Sequence, residues 1–210
     1  MLQHDDVLLK KTLLAITEET VREIVDTMLF IGVSAGHGIA KPTGIAHIAA
    51  RAEASAIIGL NGGLNGGVRL ACSNRVALIL ASALSGESYK TMSDDAKDGF
   101  AEVGNMIAGG IQTRLGERMP LGEINMTPPT VILGADYEVD YRSSFESIRY
   151  FFRVEDEPFY IEVYYLVDSK FSVTLDSSLF PKMERLRGRF GDSHSEVITR
   201  LVDLADQGGE

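Results

Sequence analysis

The sequence is poor in several residue types, and each scarcity excludes a class of protein. A single cysteine, Cys72, rules out an internal disulfide, which fits a reducing compartment such as the cytoplasm. No apolar run reaches the roughly 18 residues of a membrane span, and none of signal-peptide length follows the charged stretch at residues 1–11. We therefore expect a cytoplasmic protein that is neither exported nor inserted into a membrane.

Basic residues are also scarce. Lys and Arg number 20 against 30 Asp and Glu, which gives a net charge of −10. Nucleic-acid binding needs clustered Lys and Arg, so a nucleic-acid partner is not expected, and anionic membrane surfaces are disfavoured too. The 210 residues, 45% apolar and 24% charged, are otherwise ordinary for a globular protein. Any protein partner must be recognised by a local surface, because the overall field repels other acidic proteins.

Three helices are predicted where a capping residue precedes apolar residues at helical spacing. They cover residues 18–30 after Thr17, 74–84 after Ser73 with a stop at Gly86, and 94–115 after Ser93. The glycines and the proline between residues 32 and 44 predict a loop, or a loop with short extended pieces, after the first helix.

Strand-like runs form two predicted hairpins. Residues 54–60 and 67–72 flank a turn rich in Asn and Gly, and residues 148–154 and 159–167 are aromatic and β-branched runs joined by a short acidic turn. One more strand is predicted at residues 130–133. Helices and strands mix without strict βαβ alternation, so we expect an α+β fold with an antiparallel sheet and helices packed on it.

The chain changes character near Lys170, and we expect two parts. Residues 1–169 form the main domain, and residues 170–210 form a C-terminal appendage. Within the appendage, a possible strand at 171–175 and a basic stretch at 181–189 precede a short amphipathic helix at 195–205. The basic stretch either binds an acidic surface or forms a solvated linker, and the linker is favoured.

The predicted long helix has two distinct faces. At about 100° per residue, one side collects the apolar residues Ala96, Phe100, Val103, Ile107, Ala108, Ile111 and Leu115. The opposite side carries Asp98, Glu102, Asn105 and Gly109, with Glu102 and Asn105 spaced as surface neighbours. A merely solvated face is the ordinary interpretation of this pattern. Asn in mid-helix and a glycine within the polar face are less easily explained that way, because both lower helix propensity.

The spacing of these residues resembles the signature of the CheC/CheX/FliY family of receiver phosphatases. Asp98, Glu102 and Asn105 are followed, after twenty-two intervening residues, by Pro128. The string from Ala101 to Gly109, the segment from Met126 to Val131 and the Gly59–Gly63 hairpin turn also match, and the resemblance covers roughly residues 10–168.

The resemblance implies a protein phosphatase that hydrolyses the aspartyl phosphate of a CheY-like receiver domain in chemotaxis signalling. It implies that Asn105 orients the attacking water and that Glu102 pairs with the receiver lysine, with Asp98 and Gly109 in contact with the partner. A carboxamide suits the first role because it donates and accepts hydrogen bonds without adding negative charge beside the phosphate. No cofactor of the chain's own is expected, and Mg²⁺ is expected in the receiver.

Relatives with two active helices carry the Glu-x-x-Asn pair twice, whereas the first helix here offers only Glu23 and Asp26. An ionised Asp cannot donate the amide hydrogen bonds of Asn, so one site is expected, as in CheX. The resemblance further implies a homodimer formed through the sheet. The aromatic hairpin at 148–167 is the candidate contact between the subunits, because an exposed apolar edge of that length would otherwise favour aggregation.

Two other interpretations stay open. The chain could be a noncatalytic adaptor that binds a receiver or a flagellar-switch protein, although the intact pair of Glu102 and Asn105 favours the enzyme. An unrelated α+β binder of small molecules is weaker, because no convergent cluster of His, Arg or metal ligands is evident in the sequence.

Overall fold

Three α-helices and an antiparallel sheet make up the part of the chain that the computed structural model describes, which is residues 3–41, 52–137, 139 and 145–166. The helices are α1 (Gln3–Ile24), extended by a π-helical turn (Val25–Leu29), α2 (Asn74–Ser85) and α3 (Asp94–Arg118). The strands are β1 (Val33–Ala40), β2 (Ala52–Gly62), β3 (Gly66–Cys72), β4 (Ile124–Met126), β5 (Thr130–Tyr137), β6 (Phe145–Val154) and β7 (Glu157–Leu166). Among the described helices, none has the length and apolar character needed to cross a membrane.

The sheet confirms the predicted α+β class. Its strand order is β1-β6-β7-β3-β2-β4, β5 also pairs with β2, and every pair is antiparallel. Alternate residues of β2, β3, β6 and β7 face the three helices and form one buried cluster with them. The predicted appendage at 170–210, with its strand, basic stretch and helix, lies outside the described residues, so the division into two domains stays a prediction.

Both predicted hairpins are confirmed, but the second one is not the exposed edge that was expected, and its contact with a second subunit stays a prediction. Strands β6 and β7 pair with each other, and each has a further neighbour, β1 for β6 and β3 for β7. The aromatic hairpin is therefore in the middle of the sheet, because β1 pairs with the outer side of β6. The sequence predicts a loop, or a loop with short extended pieces, in place of β1. The edges of the described sheet are β1 on one side and β4 with β5 on the other.

Helix α1 begins at Gln3, so the predicted cap at Thr17 is wrong. Thr17 is fully buried in mid-helix, and the apolar stripe extends upstream through Leu9 and Leu13. The charges near the N-terminus made this stretch look like a solvated segment and not a packed helix. One of them, Lys10, is in fact buried. Its Nζ atom lies 2.9 Å from Asp6 and 2.6 Å from Glu146, so the ammonium group is paired inside the fold.

The environment of Lys10 shows how a charge is accommodated there. Burial alone would lower the pKa of Lys10, but hydrogen bonds and attraction from Glu146 and Asp6 outweigh it and raise the pKa above its ordinary value of 10.5. The same ammonium group donates to the carbonyl oxygen of Lys41, at 3.3 Å. Lys10 thereby ties α1 to the ends of β1 and β6.

Strand β1 replaces most of the predicted loop between residues 32 and 44. It runs antiparallel to β6, with a register shift between Ala35 and Gly38. A Cβ atom on Gly38 would lie 2.5 Å from Leu14 and 2.9 Å from Tyr150, so the glycine permits close contact with α1 and β6. The glycines that predicted a loop mark a bulged edge strand instead.

The sheet face that points away from the helices carries a buried ionic group. Arg149 of β6 donates to Glu162 of β7 at 2.7 Å, and Arg69 of β3 lies 3.5 Å from the other oxygen of the same carboxylate. Arg69 also donates to Ser55 of β2, at 2.9 Å. All of these side chains are buried, so four adjacent strands are joined across this face by one polar network.

Helix α3 lies unusually close to β2 at Gly104. A Cβ atom on Gly104 would lie 2.8 Å from Cβ of Ala56 and 3.3 Å from Cδ1 of Ile58, distances too short for ordinary packing. Gly116, in the same helix, has open space around the corresponding position. Replacing each of these glycines with Ala should therefore change the free energy of unfolding in opposite directions.

We predict that Gly104→Ala destabilises the protein by about 1–3 kcal/mol, because the added methyl group overpacks the contact with β2. Gly116→Ala should instead stabilise it by up to about 1 kcal/mol, through helix propensity alone. Urea unfolding of both variants measures the difference. Equal stability of the two variants would show that α3 is not packed as closely on β2 as the structure indicates.

Candidate functional site

Helix α3 is positioned by a defined start. The Ser93 side chain accepts a hydrogen bond from the amide of Ala96 at 3.3 Å, and two acidic residues occupy the first turn, where the helix dipole favours negative charge. A hydrogen bond from Lys97 lowers the pKa of the Asp94 carboxyl. The predicted cap and the predicted beginning of the helix are confirmed, and the helix continues to Arg118, beyond the predicted end at 115.

The polar face predicted for this helix is present in the structure. Asp98 and Glu102 are exposed and Asn105 is half-buried, whereas Phe100, Val103 and other apolar residues of the opposite side are fully buried. The structure thus brings Glu102 and Asn105 together on an accessible surface. Their roles in binding and catalysis stay predictions, as does the contact of Asp98 with a partner.

Glu102 and Asn105 are in direct but weak contact. The Nδ2 atom of Asn105 donates to Oε2 of Glu102 at 3.4 Å, longer than a typical hydrogen bond. Such a bond holds the two side chains in one region without fixing them. Both groups can therefore turn to an incoming partner at little cost in free energy.

Gly109 does not face open space. A Cβ atom at this position would lie 3.6 Å from Cε of Met126, so strand β4 of the same chain covers the helix here. One turn further, Nε2 of Gln112 donates to the carbonyl oxygen of Ile124 at 2.7 Å. The space expected for a partner over Gly109 is thus bounded on one side by the chain itself, and its contact with a partner stays a prediction.

Gln112 was not among the residues predicted for this site, and Met126 was named only as the first residue of the matching segment Met126–Val131. Gln112 continues the stripe of Asp98, Glu102, Asn105 and Gly109 by one more turn of the wheel, so its position was available from the sequence. Its bond to β4 was not available, because it depends on how a three-residue strand packs beside the helix. Periodicity does not specify such a contact.

The segment after β4 is fixed to the sheet by a reciprocal pair of hydrogen bonds. The amide of Thr127 donates to the carbonyl oxygen of Gly59 at 3.0 Å, and the amide of Gly59 donates to the Thr127 hydroxyl at 2.9 Å. That hydroxyl in turn donates to the carbonyl oxygen of Pro128 at 3.2 Å. Pro128 and Pro129 lie between β4 and β5, where no ladder position requires an amide donor.

The corresponding face of α1 is arranged differently. Glu23 forms an ion pair with Arg114 of α3, and Glu19 pairs with Arg118 at 2.5 Å. Asp26 lies in the π-helical turn, where the wider spacing changes its angle to Glu23 from that of a regular helix. Glu23 is therefore engaged in helix contacts, and the pair Glu23/Asp26 does not reproduce the geometry of Glu102/Asn105.

The described residues contain no cluster suited to a metal ion. Within 3–41, 52–137 and 145–166, no group of three or more His, Cys, Asp or Glu side chains is arranged to hold a metal ion. The polar face around Asn105 presents the carboxamide of Asn105 itself and the carboxylates of Glu102 and Asp98. Such a surface can orient water and pair with a cation.

Comparison with known proteins agrees with the sequence motif. The family model described as chemotaxis phosphatase CheX matches residues 54–153. The CheY-P phosphatase CheX of Thermotoga maritima is 29% identical over 136 residues, which are 64% of this chain and 81% of that protein. The family resemblance stated from the sequence is thereby confirmed.

Solved structures show the same fold. A chemotaxis protein CheX from Desulfovibrio desulfuricans has a TM-score of 0.62 at 23% identity, covering 73% of this chain and 98% of that one. The CheX–CheY–BeF₃–Mg²⁺ complex from Borrelia burgdorferi has a TM-score of 0.58 at 23% identity, covering 74% and 96%.

Proposed function

We propose that this CheX-like chain is a phosphatase that hydrolyses the aspartyl phosphate of a CheY-like receiver domain in chemotaxis signalling. The observation that carries the proposal is the adjacent, accessible pair of Glu102 and Asn105 on α3, in a chain whose sequence and fold resemble CheX. The expected location is the cytoplasm. A homodimer also stays part of the proposal. Its interface is not an edge of the β6–β7 hairpin, because β1 and β3 pair with the two outer sides of this hairpin.

The division of labour follows from the chemistry of phosphoryl transfer. Little covalent help is required, and the catalyst acts by positioning and by electrostatic stabilisation. In this proposal, the receiver supplies its phosphorylated Asp, its Mg²⁺ ion and its Lys. The phosphatase supplies an ordered water, so no cofactor of its own is needed.

Asn105 is the residue that orients the water. Its carboxamide can accept from the water and donate to a phosphoryl oxygen, and it places no negative charge next to the phosphate. Glu102, one turn away and exposed, pairs with the receiver Lys and fixes the docked position. The 3.4 Å contact between the two side chains is weak enough to be replaced by these interactions on docking.

The adaptor alternative makes a different prediction for the same surface. An adaptor binds the phosphorylated receiver without accelerating loss of phosphate, so activity rather than binding separates the two. A carboxamide at position 105 has no evident purpose in simple adhesion to a cationic receiver Lys. The presence of Asn105 beside Glu102 therefore favours the enzyme.

We predict that Asn105→Ala lowers the rate of receiver dephosphorylation by about two to three orders of magnitude, the cost of losing one key polar group. Thermal stability should hardly change, because the side chain lies at the surface. The measurement is phosphate release from a phosphorylated CheY-like receiver. Asp26→Ala is the matched control, since it alters the second candidate face and should leave the rate unchanged. Near-normal turnover by Asn105→Ala would contradict the mechanism.

We further predict that Glu102→Gln weakens binding of a beryllofluoride-activated receiver by roughly 2 kcal/mol, because a desolvated charge pair is lost. Isothermal titration measures the affinity, and Glu117→Gln serves as control because that exposed carboxylate is about four turns away on the same helix. Equal affinities of Glu102→Gln and the unmodified protein would refute the docking role of Glu102.

A further inference from the structure

Strand β4 covers only half of the polar stripe on α3. Gln112 and Gly109 are in contact with Ile124 and Met126, whereas Glu102 and Asp98 are exposed. Asn105 is half-buried and lies at the boundary between the covered and the open part. The proposed catalytic residue is therefore at a corner, not in the middle of a flat surface.

The chain direction indicates what forms the second side of this corner. Helix α3 and strand β4 run past each other in opposite directions, with Gln112 beside Ile124 and Gly109 beside Met126. One more helical turn towards the N-terminus reaches Asn105, and the next residues along the strand are Thr127 and Pro128. This direction of the chain places Pro128 and Pro129 at the level of Asn105.

The pairing of β2 leads to the same placement independently. Gly104, the neighbour of Asn105, rests on Ala56 and Ile58. On the outer side of β2, Thr127 is hydrogen-bonded to Gly59 and Thr130 pairs with Ile57. The two prolines between Thr127 and Thr130 therefore lie beside the part of β2 that Gly104 covers.

We infer that Gln112 is a positioning residue, whose hydrogen bond to Ile124 holds β4 and the Thr127–Pro129 segment as a second wall beside Asn105. This inference rests on the proposed function. A receiver domain that docks on Glu102 contacts this wall as well, and the wall fixes how far its phosphorylated loop extends along α3. Gln112 does not touch the reacting atoms and acts only through β4.

The bond is suited to this role. It is short at 2.7 Å, and it joins a helix side chain to the backbone of a strand that has only three residues. On its other side, β4 is held by its ladder with β2, from Leu60/Met126 to Gly62/Ile124. Loss of the Gln112 donor leaves that ladder intact but frees β4 to move relative to α3. The distance of the wall from Asn105 then depends on the contacts of β4 and Thr127 with β2.

The test compares three variants in receiver dephosphorylation. Gln112→Met keeps the volume of the side chain but has no donor, and KM should rise about tenfold while kcat stays within about twofold, because docking is impaired and Asn105 is not moved. Gln112→Lys retains a donor that can reach the Ile124 carbonyl, so its KM should stay near the original value. Arg114→Met is the control, since it breaks a contact between α3 and α1 without touching β4.

The split between KM and kcat separates positioning from simple destabilisation. Partial unfolding removes active enzyme and lowers the apparent kcat, but it leaves KM unchanged. An unchanged KM for Gln112→Met, or a KM raised equally in Gln112→Met and Gln112→Lys, overturns the role of the hydrogen bond while the phosphatase proposal stands.

Titration with the beryllofluoride-activated receiver separates the inference from the proposed function. If the unmodified protein binds this receiver but releases no phosphate, the phosphatase proposal fails. The wall is still tested in that case, because the Kd of Gln112→Met should rise about tenfold and an unchanged Kd overturns it. If the unmodified protein does not bind the receiver at all, both conclusions are wrong.

Discussion

The close approach of α3 to its surroundings is the constraint on which the rest of the structure depends. Glycines occur where this helix meets other elements: a Cβ atom would lie 2.8 Å from Ala56 at Gly104, 2.5 Å from Thr20 at Gly110 and 3.3 Å from Ala81 at Gly99. Each glycine costs about 1 kcal/mol in helix propensity. This cost is offset by packing that seats α3 between the sheet, α1 and α2, and the seated helix presents Glu102 and Asn105 outwards.

Elements with strong local signals could be predicted from the sequence. Ser73 and Gly86 mark the two ends of α2, and Ser93 marks the beginning of α3, because capping depends on the hydrogen-bonding capacity of a few adjacent residues. The polar and apolar faces of α3 follow from periodicity in the same way. Helical spacing alone therefore places Glu102 and Asn105 as neighbours, whatever the tertiary contacts of the helix.

Elements whose stability comes from distant residues could not be predicted. The beginning of α1 looked too polar for a packed helix. Lys10 is stabilised there by Glu146, a partner far along the chain that the local sequence does not reveal. Strand β1 looked like a loop because its glycines are explained only by distant contacts, of Gly36 with Phe151 and of Gly38 with Leu14 and Tyr150. The wall formed by β4 has the same origin, since a three-residue strand carries little signal of its own and is defined by β2 and Gln112.

The buried network of Arg149, Glu162 and Arg69 has a consequence for the alignment of the strands during folding. Side chains alternate between the two faces, so sliding one strand by a single residue would move its charged group into the apolar layer beneath the helices. That arrangement is far higher in free energy, because a buried charge without its partner is costly. One carboxylate shared by two guanidinium groups thus makes competing registers of the central sheet unfavourable.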